Sequence, residues 1–221
     1  MEKALIIGAS GGIGAAVATV LQAQGCAVTA LSRRDDGLDV TDEDSVAAVL
    51  GALAPGFDLI LVATGALVID GAAPEKTIRK VTARAMADQF ALNCIGPSLV
   101  LKHSLRLLPR DRRAVFAALS ARVGSIGDNT LGGWYSYRTA KAALNQMIHT
   151  GSIELARSHR HALCVALHPG TVATRFTADY AASHDRVPPE QAASHLLGVI
   201  EGLTPADTGG FFDWQGKRVP W

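Results

Sequence analysis

The sequence predicts one α/β domain, a single doubly wound parallel sheet with helices on both faces. Three observations predict it. Short apolar runs alternate with longer helical runs, the pattern of βαβ units. The composition is 48% hydrophobic but only 5% aromatic, the Ala, Val, Leu and Ile filling of a parallel sheet covered on both sides. A glycine-rich segment follows the first apolar run and opens the first helix.

The elements follow in order. Ala4 to Ile7 reads as the first strand. A helix runs from Gly12 to about Gln24, where Gly25 ends it. Ala27 to Leu31 is the second strand. Thr41, with Asp44 three residues on, is expected to cap a helix to about Leu53. Asp58 to Ala63 is the third strand. Ala83 to Leu108 is helical but broken near Gly96-Pro97, where proline suits a new first turn. Ala114 to Leu119 is a strand and Tyr135 to Ser158 a long helix. Ala162 to Leu167 is a strand, Pro189 to Leu203 a helix, and Gly210 to Trp214 a last short strand. Right-handed crossovers would join these into one sheet.

The 221 residues carry no Pro/Gly/Ser-rich linker and no internal repeat, so one domain, 1–221, is expected. The net charge is +1. Arg33-Arg34 and the group Arg110, Arg112 and Arg113 are too short for a nucleic-acid footprint. Cys26, Cys94 and Cys164 show no metal or redox spacing and read as buried thiols of a reducing, cytoplasmic setting. The N-terminus does not look like a signal peptide, and no apolar stretch nears the ~20 residues that span a membrane. His159 and His161 lack a third ligand at metal spacing, so no metal is expected.

The candidate chemistry begins at Gly8-Ala9-Ser10-Gly11-Gly12-Ile13-Gly14. Glycines allow a tight turn and close approach of the backbone to a pyrophosphate. The free N–H groups and positive end of the following helix favour the anion. Gly8, Ser10, Gly12, Ile13 and Gly14 are therefore candidate dinucleotide contacts. The second strand ends in Leu31-Ser32-Arg33-Arg34. An acid there would hold the 2′-hydroxyl of NAD; a hydroxyl and guanidinium groups suit the 2′-phosphate of NADP instead. Ser32 and Arg33 are the candidates, and solvated loop charges are the alternative. NAD is the less favoured cofactor. Tyr137 and Lys141 stand four apart on one helical face. An ammonium beside a phenol stabilises the phenolate and lowers its pKa, so the pair can exchange a proton with a carbonyl or alcohol.

The set Gly8/Gly12/Gly14, Asn93, Tyr137/Lys141 and Pro169-Gly170 resembles the short-chain dehydrogenase/reductases, a Rossmann-fold family, over essentially the whole chain. The stretches Gly124 to Asn129 and Gly132 to Arg138, with Gly209 to Trp214 and Pro220-Trp221, look like a small branch of C-factor-type proteins, some of which are known for developmental signalling. The resemblance implies carbonyl reduction or alcohol oxidation with NADPH as cofactor, and a homodimer or larger homo-oligomer paired through the broken helix around Asn93 to Leu108 and the long helix after Tyr135. It implies Asp39 and Val40 beside the adenine. Ala63-Thr64-Gly65 falls where the family usually has Asn-Ala-Gly, so Gly65 matches and the asparagine is lost. Asn93 would hold a proton-relay water. Pro169, Gly170, Val172 and Thr174 would form the loop over the nicotinamide amide, and Lys141 would touch the nicotinamide ribose beside Tyr137.

Three points stay open. The family's catalytic serine falls on Ala121; Ser120, Ser125 or no side chain fills its place, with Ser120 favoured. Trp134 either lines the substrate pocket or packs against a neighbour, and His168 is either an acid-base group or a strand-end residue. A segment from Phe176 to Pro188 should cover the pocket of a small-molecule substrate. The competing function is a signalling or regulatory protein that binds the dinucleotide with little or no catalysis.

Overall fold

The structure is a computed structural model that describes residues 1–174, 176–177 and 186–221. Six strands form one all-parallel sheet: β1 (Lys3–Ile7), β2 (Ala27–Leu31), β3 (Leu59–Val62), β4 (Ala114–Leu119), β5 (Ala162–His168) and β6 (Phe211–Asp213), in the order β2-β1-β3-β4-β5-β6. The chain order reverses between β1 and β3, and open α/β sheets bind ligands at the carboxyl ends of strands at such a point.

Strand side chains alternate between faces, and the core divides accordingly. Leu5, Ile7, Ile60, Val62, Phe116 and Ala118 face one layer, built from α3 (Glu43–Gly51), α5 (Gly96–Ser104) and α6 (Tyr135–Ser158). Ala4, Ile6, Leu59, Leu61, Val115 and Ala117 face the other, built from α1 (Gly12–Ala23) and α7 (Pro189–Gly202). Both faces are covered, which explains strands such as Leu59–Val62 with no exposed residue.

Some expectations need correction. Asp42, not Thr41, caps α3: its carboxylate accepts from the Asp44 N–H, while the Thr41 hydroxyl donates to Asp39. The stretch 83–108 is interrupted just before Gly96-Pro97, where a new α segment starts. It runs as α4 (Ala83–Phe90), one wide π turn (Ala91–Ile95), α5 and a short 3-10 turn (Leu105–Leu107). Pro97 falls at the start of α5, where its missing N–H costs little. A one-turn helix, α2 (Arg33–Asp36), follows β2 and was not foreseen.

Candidate active site

At the end of β1 the chain turns at Gly8 (φ +91°) and enters α1 through Gly11, a cap with no side-chain hydrogen bond. A Cβ on Gly14 would lie 2.4 Å from the Gly8 carbonyl oxygen, and one on Gly8 would lie 2.9 Å from the Ala63 backbone. Only glycine fits at these two contacts. They hold the β1 turn tightly against the end of β3 and leave the first amides of α1 to an anion. A Cβ on Gly12 would meet Thr174 at 2.6 Å, so the loop after β5 closes over the same turn. The segment Pro169-Gly170 leads into that loop, with Val172 buried and hydrogen-bonded into the turn through Thr177. This cradle fits a dinucleotide: glycines at every close approach, a helix start, and a covering loop. Ser10 is exposed and Ile13 half-buried at its rim.

Beside β2, Ser32 is buried and caps α2; its hydroxyl accepts from the Asp35 N–H and bonds the Asp35 carboxylate. That hydroxyl is already engaged. Arg34 pairs with Asp35. Arg33 is exposed and makes no hydrogen bond or ion pair among the described residues; its charge helps hold the Asp39 carboxyl below its usual range, after hydrogen bonds from Thr41. Val40 is buried against Gly96. Of the two arginines, Arg33 is thus the one left available.

The residues expected to carry acid-base chemistry converge where α6 crosses the carboxyl ends of β3 and β4. Tyr137 is 5% exposed and Lys141 3% exposed. The Lys141 ammonium lies 5.8 Å from the Tyr137 ring centre and donates to the Leu119 carbonyl at 2.9 Å. Burial depresses its pKa to about 8. Burial also pushes the Tyr137 phenol well above its ordinary value, so the expected lowering by the ammonium is not what this structure displays. The phenol holds its proton at neutral pH.

Asn93 sits in the π turn, fully buried. Such turns are frequent at functional sites because they shift a side chain out of helical register. Its Nδ2 donates to the Ala66 carbonyl at 2.9 Å and to Gln89 at 2.7 Å. A Cβ on Gly65 would lie 2.8 Å from Asn93 Oδ1 and 3.5 Å from Lys141 Nζ. Gly65, Asn93 and Lys141 therefore meet at one point. Thr64 is half-buried beside Gly8.

The serine question takes a clear form. Ser120 is buried, and its hydroxyl donates to Asn145 Oδ1 at 2.7 Å. Asn145 stands one turn beyond Lys141 on α6 and donates in turn to the Gly124 carbonyl. Ser125 donates to the Pro220 carbonyl and accepts from the Asp128 N–H. The Ser120 hydroxyl thus gives its proton to a side chain of α6, and the Ser125 hydroxyl holds backbone. His168 ends β5 opposite Asp213 of β6; burial depresses its pKa to about 4, which makes it a neutral strand-end residue at physiological pH.

Trp134 and Phe176 flank the phenol, with ring centres 6.3 Å and 6.0 Å from that of Tyr137. Trp134 has a left-handed backbone (φ 53°) at the start of α6. Most of the expected cover between Phe176 and Pro188 lies outside the described residues.

Glu75 was not anticipated. It is 6% exposed, and its carboxylate accepts from the Ser136 N–H at 3.1 Å and from the Ser136 hydroxyl. Its carbonyl accepts from the Trp134 N–H at 2.6 Å. An anion at a helix N-terminus is favourable, and this one fixes the turn that carries Tyr137. No local pattern reveals it, because its partner is 61 residues away. Gln89 was also missed, although its spacing of four from Asn93 was readable. Among the described residues no group of His, Cys, Asp and Glu could hold a metal, and no helix is long and apolar enough to cross a membrane.

A family model described as enoyl-(acyl carrier protein) reductase matches residues 8–211. A Rhodococcus sp. (strain AD45) protein, 1-hydroxy-2-glutathionyl-2-methyl-3-butene dehydrogenase, is 32% identical over 238 residues, covering 100% of both chains. C-signal of Myxococcus xanthus is 38% identical over 136 residues, 62% of this chain and 78% of that one. Among solved structures, an NADPH-bound carbonyl reductase from chicken fatty liver superposes with a TM-score of 0.84 at 24% identity, covering 100% of this chain and 99% of that one. The carbonyl reductase Sniffer of D. melanogaster does so at 0.84 and 22%, covering 100% of both chains. At such identities the structures are alike in fold.

Proposed function

This chain belongs to the short-chain dehydrogenase/reductase family and is an oxidoreductase of that type, and from that premise we propose that it reduces a carbonyl substrate, reversibly, with NADPH. The observation that carries the reading is the convergence of Tyr137, Lys141 and Asn93 beside a cradle closed by Gly8, Gly14 and the loop to Thr174. Arg33, exposed at the end of β2, supports NADP over NAD as the site for a 2′-phosphate.

When bound, the dihydronicotinamide supplies hydride to the carbonyl carbon. The chain's own residues handle the proton. Tyr137 donates its hydroxyl proton to the developing alkoxide, and Lys141, cationic, stabilises the resulting phenolate. Asn93 Oδ1 faces the same point as the ammonium and, having no hydrogen-bond partner among the described residues, can accept from a water that bridges to it. The aromatic rings of Trp134 and Phe176 exclude water from the phenol. Tyr137 serves alone as the hydroxyl donor: Ser120 acts through Asn145, supporting the turn at Gly124.

The test is NADPH oxidation against a panel of aldehydes, ketones and quinones, with Tyr137→Phe as control. Turnover that Tyr137→Phe abolishes supports the reading; equal turnover in both sinks it. The likeness to C-signal favours a second reading, a regulatory protein that binds dinucleotide with little turnover. Tight NADPH binding with no carbonyl reduced across the panel would favour that one.

A further inference from the structure

Gln89, at the end of α4, reaches Asn93 one turn on. It is 6% exposed. Its Nε2 donates to the Leu67 carbonyl at 2.9 Å and its Oε1 accepts from Asn93 Nδ2 at 2.7 Å. Asn93 Nδ2 donates its second proton to the Ala66 carbonyl.

A carboxamide has nearly the same shape either way round, so only its hydrogen bonds decide where the oxygen points. Here they decide it fully. The carbonyls of Leu67 and Ala66 can only accept. Gln89 must therefore turn its nitrogen to Leu67 and its oxygen to Asn93. Asn93 must then turn its nitrogen to Gln89 and Ala66, which leaves Oδ1 on the opposite side, toward Gly65 and Lys141. That oxygen has no hydrogen-bond partner among the described residues. A reversed Asn93 would set its oxygen against two others and present an NH₂ group to an ammonium.

We propose that Gln89 is a positioning residue, one that fixes the Asn93 carboxamide with its oxygen toward Lys141. The proposal rests on the assignment of Tyr137 and Lys141 as the acid-base pair.

The test uses Gln89→Leu and Gln89→Glu, each alone and in an Asn93→Ala background. Gln89→Leu should lower kcat about tenfold, the scale of one misplaced hydrogen bond, with the NADPH dissociation constant changed less than about twofold. With Asn93→Ala already present there is no carboxamide to orient, so Gln89→Leu should add little. Gln89→Glu carries a distinct signature. Protonated, the introduced carboxyl donates to Leu67 and accepts from Asn93 as glutamine does; ionised, it faces a carbonyl with no proton to give. Its kcat relative to wild type should be near one at low pH and fall as pH rises, a step absent from Gln89→Leu. Equal losses with and without Asn93, or a flat ratio for Gln89→Glu, would overturn the proposal. If the wild type reduces no carbonyl, the catalytic reading fails, and amide NMR decides for Gln89. The Asn93 side-chain amide should resist hydrogen exchange in the wild type and lose that protection in Gln89→Leu; unchanged protection refutes the orienting role.

Discussion

Burial acts in opposite directions on the two groups at the centre of the site. It keeps the Tyr137 proton on and weakens the hold of Lys141 on its own. Proton donation by Tyr137 needs the ammonium, so kcat for carbonyl reduction should fall as pH rises through about 8, where Lys141 loses its charge; a rate flat to pH well above that value would contradict it. The same depression bears on stability. Between about 8 and the ordinary value of 10.5 the unfolded chain holds a proton that the folded chain has lost, so folding is favoured increasingly as pH rises across that window. Below it the buried charge opposes folding. Lys141→Met should therefore raise the melting temperature at pH 7 while abolishing turnover, as calorimetry and NADPH oxidation would read. Tyr137→Phe keeps the ring packed and should lose ~10²–10⁴-fold in kcat with NADPH affinity nearly intact. Arg33→Ala should weaken NADPH by about 1–3 kcal/mol and leave NADH unchanged; calorimetric titration of both cofactors separates a 2′-phosphate contact from a solvated surface charge.

The β1 turn and α1 act as one element because two glycines let backbone touch backbone. Gly14→Ala places a methyl 2.4 Å from the Gly8 carbonyl oxygen, which cannot retreat without lifting the turn from Ala63. The variant should lose NADPH binding by fluorescence titration and about 1–3 kcal/mol of stability. These elements were legible because their signals are local: uniformly apolar strands, a glycine run between strand and helix, and Tyr137 four residues from Lys141. Asn93 and the loop from Pro169 were legible through resemblance. What escaped depended on distance or on competition. Asp42 took the cap expected of Thr41 because Asp39 already held that hydroxyl. The π turn just before Gly96-Pro97 has no periodic signature of its own. Where the Ser120 hydroxyl points depends on which way the strand end faces, and here it donates to Asn145 on α6, a partner the sequence does not announce. Glu75 bonds across the fold to Ser136, and no periodicity announces such a pair.

At the scale of the molecule, the helices expected to pair two copies carry large apolar side chains at the surface: Ile95 at the end of the π turn, and Met147 and Ile153 on α6, are 48%, 39% and 53% exposed. Sedimentation should give about twice the chain mass of 23.1 kDa, and Ile153→Asp should return the protein to monomer; a single-chain species for the wild type at micromolar concentration would count against pairing. The three tryptophans also lie apart in the fold. Trp134 flanks the phenol, Trp221 stacks on Phe211, and Trp214 packs against Gly170, where a Cβ would lie 2.9 Å from its ring. Two of the three indoles therefore sit beside Gly170 and Tyr137, residues proposed to lie at the nicotinamide. Excited indoles pass energy to a nearby reduced nicotinamide, so the protein carries its own optical gauge of occupancy: ultraviolet light absorbed at Trp134 and Trp214 should re-emerge as the cofactor's blue emission when NADPH is seated, and dim when it leaves.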